Sequence, residues 1–119
     1  MTTHTTIYHN PRCGTSRDAL KFITDAGITP TIVEYLQDPP SRPVLVGLIA
    51  QAGLTPRGAI REKEPIYAEL GLGDPSVDDE QLLDAMVKHP ILINRPFVVA
   101  PGGTRLCRPA ETVKEILTA

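Results

Sequence analysis

No stretch of this chain approaches the roughly 18 consecutive apolar residues that a membrane-spanning helix needs, so a transmembrane segment is not expected. The opening MTTHTTIYHN also lacks the basic region and apolar stretch of a secretory signal. Cysteine is scarce: Cys13 and Cys107 are the only two, too few for a disulfide scaffold. Together these absences point to a reducing cytoplasm. An excess of one charge is missing as well. At a formal net charge of −2, no field of the whole molecule draws it to nucleic acid or to a membrane surface. His4 and His89 have no partners at metal-ligand spacing, so no metal site is expected. Any anion site must therefore be gathered from individual arginines.

What is present reads as one α/β domain over residues 1–119. The 12 prolines fall mostly at the edges of apolar segments and act as punctuation. TTIYH (5–9) is strand material closed by the Asn10-Pro11 turn, and Thr15 to Ala26 carries Leu20, Ile23 and Ala26 at helical spacing before Gly27. TIVEY (31–35) is a second strand, so a βαβ unit with parallel strands is expected. Helical signals then dominate 41–89. Ser41 is placed to cap a helix with the face Val44, Leu45, Leu48, Ile49 and Ala52, and Pro65 interrupts short helical pieces within 56–72. Ser76 and Asp79 resemble a capping box ahead of Leu82, Leu83 and Met86. ILIN (91–94), FVVA (97–100) and TRLCR (104–108) read as strands, with PGG (101–103) as a hairpin turn. A closing helix is expected over 110–118 from Val113, Ile116 and Leu117. The order is β-α-β, a helical insertion, then β-β-α.

Chemistry concentrates in YHNPRCGTSRDAL, where Cys13 lies between a turn and a helix start. A thiol reacts as its thiolate, and a free thiol with a pKa of roughly 8.5 is mostly protonated at neutral pH. Unpaired N–H groups at a helix start favour the charged form. Arg12, Arg17 and His9 add positive charge nearby, Gly14 allows close approach, and Thr15 and Ser16 offer donors. Such a pocket suits a small tetrahedral oxyanion beside a nucleophilic sulfur. The competing view, a buried cysteine ahead of a helix cap, fits poorly with a flanking Arg12 and Gly14 at a turn.

HNPRCGTSR, together with EYLQDPPSR (34–42), REKEPIYAELGL (61–72), HPILINRPFVV (89–99) and GTRLCRP (103–109), closely resembles the glutaredoxin-coupled arsenate reductases, from about residue 5 to 118. The resemblance implies a thioredoxin-like (glutaredoxin-type) fold, a mixed four- to five-stranded sheet with an inserted helical region at about 41–89. It implies Cys13 as the nucleophile on arsenate, Arg61, Arg95 and Arg108 as oxyanion ligands, and His9 and Ser16 as groups that tune the thiolate. It places a cis proline at Arg95-Pro96. Glutathione is implied as co-substrate and glutaredoxin as partner, with no tightly bound cofactor, in a monomer. The chemistry is consistent: arsenate is a mono- or dianion near neutral pH, and guanidinium groups present paired donors to its oxygens.

Cys13-Gly14-Thr15-Ser16 is C-x-x-S, so no resolving cysteine lies in the motif and an external thiol is the natural electron donor. Strand alternation puts Cys107 and Arg108 on opposite faces, so an Arg108 in the pocket leaves Cys107 in the core. Two other readings remain on this fold: a glutathione-dependent thiol reductase that does not use arsenate, and a redox-responsive regulator that binds RNA polymerase. The regulator's usual C-x-x-C switch is missing at Ser16. A phosphatase-type Cys-x5-Arg loop fails on one residue, because position 19 is Ala.

Overall fold

The computed structural model describes residues 4–118. Strand β1 (Thr6–His9) leads through a turn into helix α1 (Gly14–Asp25), whose Ala19 and Ile23 are buried. Gly27 follows at φ 81°, a left-handed conformation that ends helices and suits glycine. Strand β2 (Thr31–Glu34) then pairs parallel to β1, as the βαβ reading expects. Helices α2 (Arg42–Gln51), α3 (Pro56–Ala59), α4 (Pro65–Glu69) and α5 (Asp79–Lys88) follow, then a 3-10 turn at Pro90–Leu92. Strands β3 (Phe97–Ala100) and β4 (Gly103–Leu106) form a hairpin, and a second 3-10 helix spans Ala110–Glu115.

The four strands form one mixed sheet in the order β2-β1-β3-β4. Its register decides where the chemistry gathers. Tyr8 pairs with Phe97 and Phe97 with Leu106, both antiparallel. The carboxyl end of β1, the entry to β3 and the exit from β4 therefore share one end of the sheet. Cys13, Arg95 and Arg108 all follow or precede these strands within a few residues.

Contacts divide the chain into two compact units, Met1–Asp38 with Arg95–Ala119, and Pro39–Asn94. The first holds the sheet. Ile7, Ile23, Val98, Val113 and Ile116 are fully buried in its core, each such aliphatic contributing roughly 1.5–3 kcal/mol. Cys107 lies in the same cluster at 0% exposure. Gly102 is held tightly: its N–H donates to the Ile116 carbonyl at 2.8 Å, and a Cβ there would meet the Thr118 carbonyl oxygen at 2.5 Å.

The second unit is helical. Ser41 Oγ accepts the Val44 N–H, and Leu45, Leu48 and Ile49 are buried as expected, whereas Val44 is exposed. Leu82, Leu83 and Met86 of α5 are buried. Arg57 ties down the following loop, donating to the carbonyls of Leu72 at 2.6 Å and Val77 at 3.1 Å. Arg42 pairs with Glu80 and Asp84 of α5.

Four local expectations need correction. Residues 91–94 are no strand: the run opens as a 3-10 turn at Pro90, and only Ile93 forms a bridge, to Ile60. Its apolar character reflects burial of Leu92 and Ile93, which a periodicity reading cannot tell from strand pairing. The closing helix is 3-10, with i→i+3 bonds from Thr112 N–H to the Pro109 carbonyl and Ile116 N–H to the Val113 carbonyl. The capping box uses Asp78 and Gln81, because the Ser76 amide and hydroxyl both donate to Asp74. Pro65 opens α4 at its first turn, where its missing N–H costs nothing.

Candidate active site

Cys13 occupies the N-cap of α1, with extended backbone at φ −92° and ψ 121°. The preceding turn is built by Asn10. Its carbonyl accepts the Cys13 N–H at 3.0 Å, its side-chain oxygen accepts the Arg12 N–H at 3.0 Å, and its own N–H donates to Ser16 Oγ at 3.1 Å. Arg17 completes the loop by donating to the Pro11 carbonyl at 2.9 Å. Asn10 is 3% exposed, and sequence reasoning used it only as a turn marker. The available signal was an Asn before a Pro, a pattern in which the side chain bonds backbone two residues on.

The sulfur is half-buried. Arg108 Nη1 lies 3.7 Å from it and also donates to the Arg95 carbonyl at 2.9 Å, so one guanidinium joins β4's exit to β3's entry. Arg95 itself is 7% exposed. Burial pushes the Cys13 thiol up, but the Ser16 backbone amide, Arg108 and Arg95 together outweigh it and hold it below its ordinary value. The cationic help comes from the two distant arginines. Of Arg12 and Arg17, which the sequence offered for this role, Arg17 donates to the Pro11 carbonyl and Arg12 is exposed.

His9 and Ser16 sit beneath the loop, both buried. Ser16 Oγ accepts the Asn10 N–H and shares a 2.6 Å hydrogen bond with His9 Nδ1. Burial lowers the His9 pKa below 6.5, Glu34 opposes this and Arg17 reinforces it, so the ring is neutral at pH 7. His9 thus reaches the cysteine loop through a hydroxyl and carries no charge to the sulfur. Arg61 belongs to the second unit, where its N–H donates to the Leu92 carbonyl at 2.7 Å and its guanidinium meets Glu64 and Asn94.

Both Arg95-Pro96 and Arg108-Pro109 are cis. The first is where the resemblance places one, and the second was not anticipated. Cys107 contrasts with Cys13: fully buried, its thiol is pushed up to about 12 by desolvation, against a smaller opposing effect of Arg105 and a reinforcing one of Glu115. Among the described residues, no helix is long and apolar enough to cross a membrane.

A mixed sheet, a cysteine capping the first helix and a cis proline at the same sheet end define a thioredoxin-like α/β protein. Within that class, the ArsC family model matches residues 8–116, and the chain belongs to the ArsC family. It is 70% identical over 112 residues to an arsenate reductase of Rhizobium meliloti, covering 94% of this chain and 80% of the relative. An arsenate reductase of Escherichia coli is 55% identical over 112 residues, covering 94% and 79%. The solved arsenate reductase from Vibrio cholerae superposes with a TM-score of 0.91 at 44% identity, covering 98% of this chain and 100% of that one.

Proposed function

We infer that the protein is an arsenate reductase, an oxidoreductase that uses Cys13 as its nucleophile. The observation carrying the site assignment is the Arg108 guanidinium 3.7 Å from Cys13 Sγ, anchored on the Arg95 carbonyl. An anion entering beside the sulfur meets that guanidinium, and the family supplies arsenate as the anion. The thiolate attacks arsenic and displaces one oxygen, which leaves as water after protonation. Arg95 and Arg108 bind the remaining oxygens and stabilise the departing one. Arg61 is the third oxyanion ligand in this reading, carried over from the resemblance. The Ser16 amide stabilises the thiolate, while His9 and the Ser16 hydroxyl are positioning groups for the loop.

Reduction of As(V) to As(III) takes two electrons. Two thiols supply them by joining as a disulfide, so arsenate and two thiols become arsenite, disulfide and water. Cys107 is too deeply buried to serve, so the electrons come from outside. Glutathione is the co-substrate in this reading and glutaredoxin clears the mixed species, which requires no bound cofactor. In this reading the protein acts in the cytoplasm as a monomer, a single domain over 1–119 with a helical insertion at about 41–89.

The test is arsenite production from arsenate with glutathione and glutaredoxin, comparing wild type with Cys13→Ser. Turnover lost by at least about a thousandfold in the variant supports the assignment, as expected when a nucleophile is removed. Equal rates in both would take Cys13 out of the mechanism. Reduction of a glutathionylated substrate without any arsenate turnover would favour the thiol-reductase reading instead.

A further inference from the structure

Cys13 has two flanks. On the β3–β4 side stand Arg95 and Arg108, both engaged with the sulfur. On the β1–β2 side the chain leaves open a cleft of about 190 Å³, beyond the carboxyl ends of the two parallel strands. That is where open α/β sheets receive ligands. His9 contributes to its lining, Arg12 and Glu34 bring opposite charges, and Leu36 and Gln37 add an apolar and an amide surface. Arg12 is the residue next to Cys13. Neither Arg12 nor Glu34 forms an ion pair among the described residues, so both charges are available to a ligand.

The reaction needs a second thiol that the chain does not supply. Arg108 and Arg95 stand on the β3–β4 flank of the sulfur, so the flank left for that thiol is the one with the cleft. A volume of about 190 Å³ takes an amino-acid-sized group, and separated charges of opposite sign fit an ammonium and a carboxylate on one carbon.

We propose that this cleft seats the zwitterionic end of the reducing thiol, a small γ-glutamyl-type peptide, with Glu34 receiving its ammonium and Arg12 its carboxylate. Its thiol then extends past Arg12 to the arsenic on Cys13. The proposal rests on the arsenate-reductase reading above and names the subsite through which that reaction receives its electrons.

The probe is S-methylglutathione, which keeps both charges and cannot react. Titration calorimetry with wild-type protein is expected to show saturable binding, weakened about tenfold by Glu34→Gln and by Arg12→Gln, as losing one charged hydrogen bond implies. Both side chains are exposed, so folding is not at issue. Asp25→Asn, an exposed acid at the far end of α1, serves as the charge control and keeps wild-type affinity. The KM for glutathione rises in the two cleft variants in step with the lost affinity. Absence of saturable binding to wild type, or equal affinity in Glu34→Gln, overturns the assignment. Dithiothreitol separates this from the parent reading, because it carries no charge to place. Arsenite formed with dithiothreitol, but no binding of S-methylglutathione, sinks the cleft and leaves the reductase. Charge-dependent binding with no arsenite from either thiol retains the cleft as a thiol-peptide site and sinks arsenate as substrate.

Discussion

Two cysteines of one chain, both held by the sheet-bearing unit, have opposite chemistry. Cys13 caps a helix at the end of the sheet where strands terminate, half-exposed, with its thiol held below the ordinary value. Cys107 lies a residue beyond β4, packed among Ile7, Val98 and Val113, with its thiol pushed up to about 12. Both are desolvated to some degree, and desolvation raises both. The difference lies in what opposes it. A backbone amide and two guanidiniums face Cys13, whereas for Cys107 Arg105 only partly offsets burial and Glu115 adds to it. Reactivity here is a property of the donors around a sulfur, and a neighbouring arginine in sequence is no guide to them. Arg12 adjoins Cys13 and is exposed, while Arg108, 95 positions away, lies 3.7 Å from the sulfur.

The largest effect should come from exchanging the two cysteines' fates by mutation. Cys13→Ser removes turnover, and Cys107→Ala retains it at a stability cost of about 1–2 kcal/mol for the lost buried sulfur. Native-state alkylation followed by mass spectrometry reads the same contrast directly. Iodoacetamide should label Cys13 alone, because a thiol with a pKa of about 12 is ionised in only roughly one molecule in 10^5 at pH 7. Labelling of Cys107 without unfolding would break the comparison.

Alkaline pH sharpens it next. The folded Cys107 thiol is raised from 9.0 to about 12, so above pH 9 the unfolded chain has released a proton that the native state retains. Stability is therefore fully present below pH 9 and is lost as pH climbs toward 12, by about 1.4 kcal/mol per unit. Unfolding free energies from urea titrations should be flat from pH 8 to about 9 and fall with that slope from pH 9 to 11 in wild type, and lose the fall in Cys107→Ala. For Cys13 the sign is reversed: a lowered folded pKa adds stability above the unfolded value, and that is lost as pH falls through the folded one.

Arg108→Ala should move the alkylation midpoint of Cys13 to higher pH, and raise the KM for arsenate about tenfold or more. Arg108→Lys should recover the midpoint better than the KM, since a lysine keeps the charge but not the forked donor pair. The smallest shift in reactivity is expected for Ser16→Ala. Its hydroxyl is bonded to His9 and Asn10, and its amide acts on the sulfur. The substitution should lower stability by about 1–3 kcal/mol through the unpaired buried groups, yet leave the Cys13 midpoint nearly where it was. A midpoint shift as large as that of Arg108→Ala would assign the tuning to the hydroxyl instead.

Much of the fold was legible because its signals are local. The strand–turn–helix of residues 6–25 announces itself by β-branched residues, an Asn-Pro turn and a helical apolar period, and Ser41 caps α2 where its position predicts. Errors arose where a local signal had two structural outcomes. The apolar run 91–94 is buried without a strand partner apart from one bridge, and Ser76 had a nearer acceptor in Asp74 than a helix amide. In the site, the nucleophile was readable from its place between turn and helix. The role of Asn10, with three bonds around the loop, was not, since an Asn before Pro reads the same whether it marks a turn or builds one.

The chain alone determined a cysteine at a helix start, a motif without a second cysteine, and arginines set beside prolines at strand ends. Those are consequences of local conformation and of covalent order. Which arginines act on the sulfur was decided by the tertiary structure. The register Tyr8–Phe97–Leu106 brings the end of β1, the start of β3 and the end of β4 to one place, and a 3.7 Å approach across 95 positions follows from that pairing. Coulombic and hydrogen-bond effects depend on distance in space, and distance in space is set by the sheet.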